Sequence, residues 1–116
     1  MGLDMFLTVN GNEEIYWRKV NSIHHWFVAN VQEGVDDCSS YEVSRNDLLS
    51  LQESVEQVIN NPELASEVLP TSSGFFFGST DYDEWYFDDL KITLKNLKDV
   101  LDKYDDEDIY HYSAWW

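Results

Sequence analysis

The chain has 116 residues, of which 43% are hydrophobic and 16% aromatic, and 23 Asp plus Glu against 7 Lys plus Arg give a formal net charge of −16. This much apolar material can offset the entropy lost on ordering, so the composition excludes a disordered chain, and the length fits one domain over residues 1–116. The negative field repels phosphates, which argues against direct binding to nucleic acid or to an anionic membrane, and it attracts basic surfaces.

The N-terminal third predicts a strand followed by a helix. Residues 3–9 alternate apolar and other side chains, the period of a strand with one buried face, and Asn10-Gly11-Asn12 is typical of the turn that ends it. From Trp17 onward the apolar positions follow helical spacing, so a helix with a buried aromatic stripe is predicted. We expect this helix to stop near Gly34, since glycine tolerates the left-handed conformation found just past helix ends.

The middle of the chain predicts a short strand and a second helix. Residues 41–43 can form the strand, and Ser44 is the natural N-cap of the helix, with Asp47 adding favourable charge at its start. Four apolar residues with helical spacing, and a fifth beside the last of them, give it a buried stripe: Leu48, Leu51, Val55, Val58 and Ile59. Asn61-Pro62 then begins a short helix, because proline costs nothing at a first helical position.

A long third helix is predicted in the C-terminal part. It follows a loop, residues 71–80, in which Phe75, Phe76 and Phe77 stand between Gly74 and Gly78. Ser79 or Thr80 is expected to cap the helix, and six residues form its inward stripe: Tyr86, Leu90, Leu94, Leu97, Leu101 and Tyr104. Acids near its start and lysines toward its end suit the helix dipole.

Residues 109–113 predict a final strand. Together these elements predict an α+β fold: a small antiparallel sheet, built from the two chain ends plus middle segments, with about three helices covering one side.

The sequence gives little support for a cofactor, a metal or a nucleophile. A zinc site usually shows paired Cys or His ligands repeated downstream, and His24 and His25 are adjacent, so we expect a partly buried, hydrogen-bonded His24 and an exposed His25. Asp36 and Asp37 beside Cys38 disfavour its thiolate. The single cysteine excludes an internal disulfide and is typical of a reducing compartment, and residues 1–9 lack an export signal, so a cytoplasmic protein is expected.

Several sequence segments resemble a family of small acidic proteins encoded by bacteriophages and prophages. The segments are Tyr16-Trp17-Arg18-Lys19, Ile23-His24 followed by Trp26-Phe27, Asp36-Asp37-Cys38, Ser73-Gly74-Phe75-Phe76-Phe77-Gly78-Ser79-Thr80, and Tyr82-Asp83-Glu84 with Phe87. The resemblance spans most of the chain and is most specific from Ser73 to Glu84. It implies a phage or prophage source, and hence the cytoplasm of a bacterial host, with no assigned activity.

A phage source favours a non-enzymatic inhibitor of a host nucleic-acid-binding or defence enzyme, with the anti-CRISPR class in first place. Carboxylates on one face can replace the phosphates that a basic groove expects, and 11 of the 23 acids lie from Thr71 onward. The expected partner is therefore a basic host protein, and the oligomeric state stays open. The alternative is a phage structural or regulatory module that acts through homo-oligomerisation, with incidental acidity. A small hydrolase, which would need a cleft with convergent polar groups, is a third class.

Two candidate partner-binding features follow. The first is an acidic face built on the third helix, whose members are Asp81, Asp83, Glu84, Asp88, Asp89, Asp99 and Asp102, continued by Asp105, Asp106, Glu107 and Asp108. Asp81, Glu84 and Asp88 should share one side of the helix, although the same acids also fit an ordinary solvated helix. The second is the aromatic triplet Phe75, Phe76 and Phe77, which fits either an exposed anchor or a loop folded into the core.

Overall fold

The computed structural model describes residues 2–74 and 78–116. Its elements in chain order are β1 Asp4–Val9, β2 Asn12–Arg18, α1 Asn21–Asn30, β3 Tyr41–Val43, α2 Arg45–Asn60, a 3₁₀ turn Pro62–Leu64, α3 Ala65–Val68, α4 Glu84–Lys103 and β4 Tyr110–Trp115. The predicted α+β class is confirmed, as is the antiparallel sheet.

The sheet has the strand order β2-β1-β4-β3, so the two chain ends lie at its centre. Met5 of β1 is opposite Trp17 of β2 and Ala114 of β4, and β3 joins the outer side of β4. A register shift between Leu7 and Thr8 interrupts the pairing of β1 with β2. The expected origin of the sheet, from the chain ends plus middle segments, is therefore confirmed.

The described helices pack against one face of this sheet. Trp17 Nε1 donates to Thr93 Oγ1 of α4 over 2.9 Å, and the Phe27 ring of α1 stacks on Tyr112 at 3.8 Å. Both inward aromatics of β4, Tyr110 and Tyr112, are almost fully buried. Since burying one large apolar side chain is worth about 1.5–3 kcal/mol, this layer supplies much of the drive to fold.

The helix predicted from Trp17 onward begins later than expected. Residues 12–18 form β2, in which buried Ile15 and Trp17 alternate with exposed Tyr16 and Arg18, and α1 starts only at Asn21. Pairing with β1 decides this segment, because the strand satisfies its backbone groups and buries Trp17 at once. The helix also ends at Asn30, before the predicted stop.

The second helix forms as predicted. Ser44 Oγ accepts from the Asp47 backbone N over 3.0 Å, while the Asp47 side chain accepts from the Ser44 backbone N over 3.2 Å. This reciprocal capping box satisfies two donors at the start of α2. Four of the five predicted stripe residues are buried, and Ile59 is half-buried against the core. Pro62 stands first in its short 3₁₀ turn, also as expected.

The start of α4 differs from the prediction. Neither Ser79 nor Thr80 caps it: Ser79 Oγ instead accepts from the Asp81 backbone N, and Asp83 is the N-cap, accepting from the Tyr86 backbone N over 3.1 Å. The buried stripe of α4 consists of Tyr86, Leu90, Thr93, Leu97, Val100 and Leu101. The expected members Leu94 and Tyr104 are half-buried at its margin. No helix within the described residues is long and apolar enough to cross a membrane.

Candidate binding surface

The predicted acidic face on α4 is divided in two by lysines. Lys91, Lys95 and Lys98 are exposed between Asp88 and Asp99, which are separated by about 16 Å along the helix axis. The acids before this gap form the N-terminal acidic cluster, Asp81, Asp83, Glu84, Asp88 and Asp89. Those after it form the C-terminal acidic cluster, Asp99, Asp102, Asp105, Asp106, Glu107 and Asp108. A continuous row of carboxylates along the helix is therefore not what the fold presents.

Within the N-terminal acidic cluster, four residues occupy three kinds of position. Asp81 precedes the helix, so the expectation that it shares a helical side with Glu84 and Asp88 is wrong. Asp83 caps the helix. Glu84 and Asp88 are both exposed and lie one turn apart on α4, where their carboxylates reach solvent together.

Asp89 is the half-buried member of this cluster. Burial, with the nearby charges of Asp88 and Asp83, raises the pKa of the Asp89 carboxyl above its ordinary value. Asp89 lines a cavity of about 220 Å³ together with Arg18 and Lys19 at the β2 end and with Asp81 and Asp83 of the same cluster. The cluster thus adjoins the edge of the sheet.

The C-terminal acidic cluster is partly used by the fold itself. Asp108 accepts from Asn10 Nδ2 over 2.9 Å and from the Asp105 backbone N over 2.8 Å, and these bonds lower the pKa of Asp108. Asp106 lies 3.6 Å from Arg45 but is largely exposed. Asp99 and Asp102, three residues apart, are both exposed on the last turns of α4. This half of the predicted face thus combines structural and solvent-facing carboxylates.

Two large apolar side chains on α4 are exposed. Phe75, Phe76 and Phe77 lie outside the described residues. Trp85 at the start of α4 is 71% exposed, and Ile92, two turns on, is 58% exposed; sequence reasoning missed both. Their signal was available, because seven-residue spacing places them together on the side of the helix away from Leu90.

The outer face of the sheet carries a second aromatic group. Phe6 and Tyr16 have ring centroids 5.4 Å apart, and Trp115 is 65% exposed. The Tyr16 hydroxyl donates to Asp4 over 2.6 Å, and Arg18 bonds the same carboxylate over 2.7 Å. Asp4 and Arg18 therefore neutralise one another on this face.

His24 is hydrogen-bonded, as the sequence predicted, and it is almost fully buried, where partial burial was expected. Its Nδ1 lies 2.6 Å from the Tyr112 hydroxyl and its Nε2 lies 2.8 Å from Asp36 Oδ1. Burial lowers the pKa of His24 and raises that of Tyr112 well above its usual value. Because the Tyr112 ring is fully buried and stacked on Phe27, these hydrogen bonds fix the loop after α1 to the sheet. His25 is half-buried, where exposure was expected.

No group of three or more His, Cys, Asp or Glu in the described ranges could hold a metal ion. Comparisons with protein-family models, with curated proteins and with solved structures find no match to this chain.

Proposed function

We propose that this chain is a phage-encoded, non-enzymatic binding protein that occupies the basic groove of a host nucleic-acid-binding or defence enzyme, with a CRISPR effector as the favoured class. The observation that carries the proposal is the exposure of carboxylates at both ends of α4 in a chain of net charge −16. Such a field attracts basic surfaces and accelerates encounter with them.

The N-terminal acidic cluster supplies the density that mimicry of a nucleic acid requires. Glu84, Asp88 and Asp89 fall within about 8 Å along the helix axis, or roughly one carboxylate per 2.5 Å. Duplex DNA presents about one charge per 1.7 Å of its axis, which is the same order. Lys91 and Lys95 interrupt this density in the middle of α4, so the cluster, and not the whole helix, is the proposed contact.

A lysate pull-down tests this function. Tagged wild-type chain is compared with the double variant Glu84→Lys/Asp88→Lys, and a matched control, Glu53→Lys/Glu63→Lys, makes the same change of net charge at exposed acids elsewhere. We expect the wild type and the control to retain one nucleic-acid-binding enzyme at low salt and to release it at high salt. The cluster variant should retain far less, and purified wild type should inhibit nucleic-acid binding by that enzyme.

Two results would contradict the proposal. Retention that is indifferent to salt and to both charge changes would remove the electrostatic basis. Equal loss in both variants would show that net charge alone matters and that the N-terminal acidic cluster is not the contact.

A second candidate is a structural or regulatory module that forms homo-oligomers, and the outer sheet face favours it. Phe6, Tyr16 and Trp115 make an aromatic surface there whose nearest charges, Asp4 and Arg18, are paired. Two copies could approach through this face with little repulsion at the contact. A mass measurement by light scattering tests this candidate, since the module requires a dimer or a larger assembly in solution and a monomeric mass would contradict it.

A further inference from the structure

β2 is an edge strand with one side turned away from the sheet. In the order β2-β1-β4-β3 it pairs with β1, and no other strand of the described residues joins its outer side. The Lys19 backbone N donates to the Leu3 carbonyl over 2.8 Å. Because antiparallel ladders alternate, Trp17 also turns its peptide groups toward β1, and those of Tyr16 in mid-strand face outward. Such an edge is a template for an added strand.

Helix α4 runs beneath β2 in the opposite direction. Lys103 Nζ, at the end of the helix, lies 3.0 Å from Glu14 Oε1 near the start of the strand. Further along the strand, Trp17 Nε1 bonds Thr93 Oγ1 in the middle of the helix. The start of α4 therefore lies beneath the far end of β2.

Two exposed apolar residues of α4, Trp85 and Ile92, lie along this edge and are called the apolar ridge. Trp85, Ile92 and Lys103 share a side of the helix, since seven, eleven and eighteen residues are close to whole numbers of turns. Lys103 reaches β2 from that side, Trp85 lines a cavity with Arg18 and Lys19 at the far end of β2, and Ile92 lies between them on the helix. Trp85 and Ile92 are both more than half exposed, which is unusual for large apolar side chains that flank an open edge.

The charges around the outer edge of β2 favour one kind of added strand over another. Glu13 and Glu14 belong to β2, and the N-terminal acidic cluster adjoins its end. Arg18 is paired with Asp4 and Lys103 with Glu14, so Glu13 and the cluster acids Asp81, Asp83 and Asp89, which line the adjoining cavity, outnumber Lys19. A second copy of a chain with net charge −16 would meet long-range repulsion as it approached this side of the molecule. A strand that carries lysine or arginine would meet the opposite charge.

We propose that the outer edge of β2 accepts an extended, lysine- or arginine-bearing segment of the partner as a fifth strand, with apolar side chains of that segment on Trp85 and Ile92. The inference rests on the proposed function and specifies how the basic partner is held. Main-chain hydrogen bonds to the edge supply affinity, and the acids and the apolar ridge supply selectivity.

A pair of synthetic peptides tests the strand addition. The probe is a capped peptide of about nine alternating lysines and valines, long enough to match a strand. Its control has the same sequence with a methyl group on every backbone nitrogen, which keeps the charge and removes the donors. Both are titrated into the full chain and followed by nitrogen-15 NMR. We expect the probe to shift the Tyr16 amide and the Trp85 indole and to bind at least about tenfold more tightly than its control.

Protein variants locate the ridge. Trp85→Ala/Ile92→Ala should weaken probe binding several-fold, while Leu49→Ala, which removes an exposed apolar side chain from α2, should leave it unchanged. Equal affinity of the two peptides, probe shifts away from β2, or no binding of either peptide would overturn the strand addition. The proposed function is judged separately, because the Glu84→Lys/Asp88→Lys pull-down requires neither Trp85 nor a backbone donor.

Discussion

The two ends of α4 bear similar numbers of acids and hold them differently. At the start, Glu84 and Asp88 face solvent. At the end, Asp105 accepts from the Glu107 backbone N and Asp108 accepts from Asn10, so these carboxylates build the turn into β4. Charge counted along a sequence therefore overstates what a surface offers, because turns use carboxylates as hydrogen-bond acceptors. Each end also keeps exposed carboxylates on the helix, Glu84 and Asp88 at the start and Asp99 and Asp102 at the end.

The largest expected effect on stability comes from removing the contacts between Arg45 and the end of α4. Arg45 donates to the Tyr104 carbonyl over 2.6 Å and to the Leu101 carbonyl over 2.7 Å, which satisfies helix-end acceptors from a half-buried position. Arg45→Ala should lower the free energy of unfolding by about 2–3 kcal/mol, since hydrogen bonds from charged groups are the costly ones to lose. Urea unfolding measures this, with exposed Lys95→Ala as the control. A loss no greater than that of the control would show that water replaces the guanidinium at no cost.

A smaller effect is expected at the start of the helix. Asp83→Ala should cost about 1 kcal/mol because it removes the N-cap acceptor of the Tyr86 backbone N. Asp81→Ala, which removes equal charge outside the helix, should change stability by less than about 0.5 kcal/mol. Thermal or urea unfolding of both variants decides the matter, and Asp83→Ser should restore most of the loss. Equal losses at both positions would point to charge and not capping.

The smallest expected effects are on the pH dependence of stability. They should have opposite signs for Asp108 in the C-terminal acidic cluster and Asp89 in the N-terminal acidic cluster. The pKa of Asp108 lies below the ordinary 3.8, so its contribution to stability is present above that pH and is lost as the pH falls through the lowered pKa. The pKa of Asp89 is raised by burial, so its contribution is present below 3.8 and is lost as the pH rises through the raised pKa.

At pH 7, Asp108→Asn should therefore destabilise the chain and Asp89→Asn should stabilise it, and both differences should shrink as the pH falls below 3.8. Unfolding free energies across pH 3–7 measure this for each variant and the wild type. If both variants shift stability in the same direction, the Asp108 and Asp89 carboxylates do not make contributions of opposite sign.

The elements that sequence reasoning predicted well are those whose signals are local. The cap of α2 lies within one helical turn, between Ser44 and Asp47, and its apolar stripe repeats over four turns, so α2 was predicted almost completely. The helix predicted from Trp17 onward was partly wrong for the opposite reason, since residues 12–18 form β2. Trp17 and Val20 fit a helical period as well as a strand, and only pairing with β1 settles the choice.

The candidate site shows the same division. The acids of the N-terminal acidic cluster could be named from the sequence, but four possible capping residues lie between Ser79 and Asp83, and local spacing did not identify the one that begins α4. The exposure of Trp85 and Ile92 was readable from the helical period once the stripe through Leu90 was known. Their place beside β2 was not, because no local pattern encodes which strand lies above a helix.

By itself the sequence determined the net charge and allowed the fold class to be predicted, since composition and short-range periodicity can be read along the chain without its tertiary contacts. Only the tertiary structure decided that β2 is an edge strand and that α4 runs beneath it. Those properties depend on contacts between residues far apart in the chain, such as Trp17 with Thr93 and Lys103 with Glu14. The surface that is offered to a partner is one of these long-range outcomes.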